Sequence, residues 1–145
     1  MTDPIRSKIM RSIKSRDTKP ELLVRKSLHR AGFRYRVNQR EIVGRPDIVL
    51  PKFNAIILVN GCFWHAHSCH IFRLPKDAAW RKKLDRNRER DAENLRNYAE
   101  SGWKVLRIWE CALQGKTKLP FHEVHAMTSN WIQFGVGNAE IMGKQ

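Results

Sequence analysis

The chain has 145 residues, enough for one domain around a single core, and 41% of them are hydrophobic. Its formal charge is +14, from 28 Lys and Arg against 14 Asp and Glu, and it carries five tryptophans; basic charge with stacking surfaces favours a nucleic-acid partner over a membrane surface. No apolar run approaches a membrane span, MTDPIRSKIMRSIKSRD lacks the apolar centre of a signal peptide, and three cysteines are an odd count for a disulfide framework, so a cytoplasmic chain with no membrane association is expected.

Residues 1–16 read as a basic arm, with Ile5, Ile9, Met10 and Ile13 at helical spacing. Thr18-Lys-Pro-Glu21 reads as a capping box that opens a helix ending near Gly32, with Leu22, Val24, Leu28 and Ala31 turned inward. FRYRV, 33–37, alternates like a half-buried strand. After a loop carrying VGRP come DIVL, 47–50, and the continuous apolar run AIILV, 55–59; the turn PKFN between them predicts a hairpin. A charged helix runs from Asp77 to about Glu100, with Trp80, Leu84, Arg88, Asp91, Leu95 and Tyr98 along one face, and Gly102 ends it. WKVLRIW, 103–109, is a further buried strand. Leu119 to Phe134 predicts a last helix with Val124, Met127 and Trp131 inward, followed by a loose tail, 135–145. The chain thus divides into an arm, a single domain over 17–134 and a tail, and the element order describes a mixed sheet flanked by helices.

The chemistry concentrates in NGCFWHAHSCH, 60–70. A structural zinc needs four ligands in a tetrahedron, with thiolates at about 2.3 Å. Cys62 and Cys69 supply two, Cys111 just beyond WKVLRIW a third, and one of His65, His67 or His70 the fourth. Spacing does not choose among these histidines. The others are free to orient a ligand or to act as a base near neutral pH. Asp47 opens a strand after a turn, so it is either a ligand for a hard cation such as Mg²⁺ or an ordinary turn aspartate. Asp91 falls on an otherwise apolar stripe, where a bare carboxylate is unfavourable; it pairs with a basic group such as Arg88 or orients a histidine. Glu21 belongs to the capping box or faces the cleft.

DTxxE, GRPD, NGCFWHxHxC and WECAL, in this order over roughly 6–113, resemble the very-short-patch-repair (Vsr) DNA mismatch endonucleases. The resemblance implies a restriction-endonuclease-like α/β core with a structural zinc. It implies Mg²⁺-dependent nicking of one DNA strand 5′ to the thymine of a T·G mismatch left by 5-methylcytosine deamination. It makes Asp47 and the Val59 carbonyl the Mg²⁺ contacts and His65 the general base. Glu21 then holds waters around the metal and Asp91 supports His65, while zinc falls to Cys62, His67, Cys69 and Cys111. Phe63, Trp64 and Trp80 become wedges in the base stack, and the arm with Met10 reaches the minor groove. Expected further are a monomer, a place near the nucleoid, and functional links to a cytosine-5 DNA methyltransferase and mismatch repair proteins. The chain departs from relatives that carry Thr-His before GCFWH: it has Val59-Asn60, which keeps a backbone carbonyl and loses an imidazole. Two other functions fit parts of the pattern, a sequence-specific restriction-type nuclease and a non-catalytic zinc-stabilised DNA-binding module.

Overall fold

The computed structural model describes residues 18–65, 67–69 and 73–144. The basic arm with Met10, and His70, lie outside the described residues. Helix α1 spans Lys19–Arg30, and β1 (Ile48–Leu50) and β2 (Ala55–Asn60) form the hairpin. Helix α2 (Ala78–Glu100) leads to β3 (Lys104–Trp109), which runs into the short α3 (Glu110–Leu113). Helix α4 (Phe121–Phe134) and β4 (Ala139–Ile141) follow. The sheet has the order β1-β2-β3-β4. β1 is antiparallel to β2, while β2–β3 and β3–β4 are parallel. This is the mixed sheet flanked by helices expected from the pattern.

Alternation along the strands sends apolar side chains to both faces. Ile48, Leu50, Ile57, Leu106 and Ile108 meet Val24 and Leu28 of α1 and Val124, Trp131 and Ile132 of α4. On the opposite face Val49, Ile56 and Val105 pack under Tyr98, with Leu95 and Leu58 beside them. α1 starts where Thr18 Oγ1 accepts the Glu21 N–H at 3.3 Å, a standard way of satisfying an orphan donor. α2 starts on Asp77, whose carboxylate accepts the Ala79 N–H at 2.7 Å. Among the described residues no helix is long and apolar enough to cross a membrane.

The structure departs from the expected pattern at five points. FRYRV makes a single bridge, Arg36 with Val49, because Asn38 takes a left-handed conformation at φ 54° and turns the chain away. Alternation there reports half-burial, not a ladder. On α1, Leu22 is 38% exposed and Ala31 is exposed, while Glu21 is buried. On α2, Arg88 faces solvent and Asn87 is half-buried in its stead. On α4, Met127 is exposed and Thr128 takes the inward position, its hydroxyl donating to the Val124 carbonyl at 2.7 Å. The tail is not loose: Ala139–Ile141 pairs with Leu106–Ile108, and Asn138 Oδ1 accepts the Val105 N–H at 2.9 Å.

Candidate active site

Two strand ends and one helix build a cavity of about 850 Å³, lined among others by Asp47, Val59, Asn60, His65 and Asp91. Asp47 stands at the head of β1, and its Oδ2 accepts the Val59 N–H of β2 at 2.8 Å. The hairpin register fixes this pairing. Gly44 makes the preceding turn possible: its φ is 79°, and a Cβ there would stand 2.6 Å from Asn94 Nδ2 and Tyr98 Oη. Glu21, buried on α1 and ion-paired with Arg25, comes within hydrogen-bonding reach of Asp47. Burial, then the Glu21 carboxyl, push the Asp47 carboxyl well above the usual carboxylate range, against a smaller opposing pull from the Val59 N–H and Arg25. Two carboxyls facing each other at low dielectric hold a shared proton or a cation. Tyr98 beneath them is pushed up to about 12, by burial first and then by Asp47 and Asp91.

His65 lies in the turn after β2, and its Nδ1 meets Asp91 Oδ2 at 2.5 Å. This contact crosses from the turn to the middle of α2, and it accounts for a carboxylate on the inner stripe of that helix; Arg88 is not its partner. With Nδ1 held by a carboxylate, Nε2 is left to exchange a proton with a ligand. Both side chains remain about a quarter exposed.

The aromatic residues gather at the same mouth. Phe63 and Trp64 meet edge to face at 5.6 Å, and Trp64 lies 5.7 Å from Trp80. Lys83 Nζ sits over both indoles, 5.1 Å from Trp64 and 4.9 Å from Trp80, a cation–π cap. Lys83 follows Trp80 by one helical turn, a spacing visible in the sequence but not singled out there.

Behind the cavity lies a second cluster. The ligand atoms of Cys62, His67, Cys69 and Cys111 lie within 4.8 Å of one another. His67 Nδ1 is 3.5 Å from Cys62 Sγ and 3.7 Å from Cys111 Sγ. A tetrahedron with zinc-like bond lengths has an N···S edge of about 3.6 Å, so the four donors fit such an ion. Burial pushes the Cys62 and Cys111 thiols up, and the neighbouring Cys69 adds to this; burial pushes His67 down. A bound cation reverses the first effect and suits the second, since it takes thiolates and a neutral imidazole. The His67 ring is stacked on Trp109, 4.1 Å between centroids and 9° between planes. Glu110, which sequence reasoning passed over, accepts the Cys62 N–H at 3.1 Å and is braced by Gln114.

The cavity brings carboxyls, an imidazole and aromatic rings to one mouth, and the comparisons with known proteins give the class of enzyme. Residues 1–71 match the family described as DNA mismatch endonuclease Vsr. The type II nicking enzyme V.NmeAIP of Neisseria meningitidis serogroup A is 46% identical over 113 residues, 77% of this chain and 81% of that one. The DNA mismatch endonuclease Vsr of Escherichia coli K12 is 39% identical over 129 residues, 88% and 83% of the two chains. The nicking enzyme V.XorIIP of Xanthomonas oryzae is 40% identical over 119 residues, 78% and 88%. The protein is a DNA endonuclease, and it belongs to the Vsr family.

Proposed function

We propose that the enzyme nicks one strand of duplex DNA 5′ to the thymine of a T·G mismatch, the product of 5-methylcytosine deamination, by Mg²⁺-dependent hydrolysis in very short patch repair. The observation that carries this reading is the meeting, in one cavity, of Asp47, backed by the buried Glu21, with the His65–Asp91 pair and three aromatic rings. A binding module has no need of the first two, and a cutter of fully paired DNA has less need of the third.

The roles follow from the chemistry of each group. Asp47 and the Val59 carbonyl would hold Mg²⁺, with Glu21 holding waters around it. Mg²⁺, when bound, neutralises phosphate charge and favours ionisation of a water. His65 takes the proton of the attacking water at Nε2, and Asp91 stabilises the imidazolium that results. Only one carboxylate, Asp47, then binds metal directly. Val59 stands where relatives can carry threonine, and a carbonyl contact is indifferent to that change. Zinc on Cys62, His67, Cys69 and Cys111 would be structural. Bound there, it would fix the turn that bears Phe63, Trp64 and His65. Those rings, with Trp80, would enter the base stack. A T·G pair is easier to unstack than a Watson–Crick pair, and opening a step takes a few kcal/mol. The basic arm, 1–16, with Met10 would grip the minor groove. The expected setting is a monomer in the cytoplasm beside the nucleoid, working with a cytosine-5 methyltransferase and mismatch repair proteins.

The test uses labelled duplexes with T·G, T·A or C·G at one position, Mg²⁺ and strand-resolved gels. Expected is a single nick, confined to the T strand of T·G. Cleavage of both strands of the T·A duplex would replace the mismatch reading with a restriction-type one.

A further inference from the structure

Asn60 ends β2, and it is 5% exposed. Strand alternation puts its side chain on the face shared by Ile56 and Leu58, beneath α2, and away from that of Val59. Its backbone is secured in the parallel ladder opposite Trp109. Its carboxamide is not: among the described residues it has no protein hydrogen-bond partner, and what remains open to it is the cavity it lines with Asp47 and His65. Although the residue as a whole is nearly covered, its amide atoms are not sealed off, and they open onto the cavity. In a cleft, such a group marks a place where a ligand supplies the missing partner.

The surroundings say which ligand atoms those are. Asp47 and Asp91 bring acceptor oxygens to this cavity, and a phosphate diester brings more. Side-chain donors line the cavity elsewhere, on α2 (Lys83, Asn87, Arg90, Asn94, Tyr98) and on β3 (Arg107); on β2, beside Asp47, Asn60 is the side chain that can donate. Asn60 offers two N–H groups with no charge of its own, one residue from the backbone N–H that holds Asp47 and at the entry to the turn that carries His65. We propose that the Asn60 carboxamide is a substrate-contacting group that donates to a non-bridging oxygen of the scissile phosphate. This rests on the nuclease reading above. It implies that the position, though it lacks the imidazole some relatives carry, still serves the reaction.

The experiment compares wild type with Asn60→Ala, Asn60→Asp and Asn60→His in single-turnover cleavage, on whichever duplex the wild type cuts best. A failure of the mismatch reading is thereby kept apart from a failure of this one. Asn60→Ala should cleave about 10- to 100-fold slower, the range for a lost hydrogen bond to a charged group, with melting temperature and duplex affinity near wild type. Asn60→Asp, the same size but with no donor and an added charge, should be slower still. Asn60→His, which restores an N–H, should recover part of the rate. Phosphorothioate diastereomers at the scissile position give the decisive readout. Sulfur at the contacted oxygen should slow wild type more than it slows Asn60→Ala, so the stereochemical preference shrinks in the variant. A merely structural asparagine leaves that preference untouched. An unchanged preference, or an Asn60→Ala protein that cuts at the wild-type rate, overturns the proposal.

Discussion

At the scale of single residues, the site turns on pairs. Asp47 is held by the Val59 N–H and faced by Glu21, and nothing else on the hairpin offers a carboxylate. Asp47→Ala should abolish Mg²⁺-dependent cleavage and leave DNA binding nearly intact; cleavage within about tenfold of wild type would remove Asp47 from the mechanism. His65→Ala should slow cleavage by about 10²–10⁴, the range for a lost general base, with bound zinc unchanged because His67, not His65, stands among the thiols. Zinc lost along with His65 would make that histidine a ligand. The types of residue were legible in composition and spacing; their pairing came only through the family resemblance, and the structure agrees with it. Spacing left His65, His67 and His70 equivalent, and Asp91 had Arg88 as a plausible neighbour. Which imidazole faces sulfur and which faces a carboxylate is settled by a turn of a few residues against a helix far along the chain, and no local pattern encodes that. That Asn60 turns its amide to the cavity was invisible for the same reason.

Among the elements, legibility followed length. The hairpin, α2 and β3 carry strong periodicity and stand where the pattern put them. β4 is only three residues long, too few for a period, and its place comes from pairing with β3 and from Asn138. One contact between elements was equally hidden. Lys104, at the start of β3, donates from Nζ to the carbonyls of Trp131, Ile132 and Gly135 at 2.8–2.9 Å. It thereby caps the C-terminus of α4, where a cation meets the negative end of the helix dipole. Lys104→Met should lower stability by about 2 kcal/mol and the melting temperature by roughly 4–10 °C; an unchanged melting curve would show the cap to be idle. The stacked rings at the mouth behave as an element too. If Trp64 works as a wedge, Trp64→Ala should weaken T·G binding roughly tenfold or more relative to T·A, since a base on an aromatic ring is worth about 1–3 kcal/mol. A protein that melts early and keeps its full T·G preference would assign Trp64 to packing.

For the molecule as a whole, the cluster of Cys62, His67, Cys69 and Cys111 ties the turn after β2 to the end of β3. Metal analysis should return about one zinc per chain, and Cys111→Ser should destabilise the entire fold rather than loosen one loop. A chain that keeps its structure and activity through exhaustive chelation would refute a structural zinc. The parallel pairing of β2 with β3 also orders events in time. The β1–β2 hairpin closes over a turn of a few residues, which takes microseconds; the β2–β3 ladder has to wait until the chain has crossed back along α2, a non-local and slower step. Asp47 is therefore expected to find the Val59 N–H in the first unit to form, while His65 meets Asp91, and Cys111 the other thiols, only when the crossover is complete. A nascent or partly unfolded chain then has Asp47 in place before His65 has found Asp91, so if these groups act together as proposed, cutting competence arrives only at the last stage of folding.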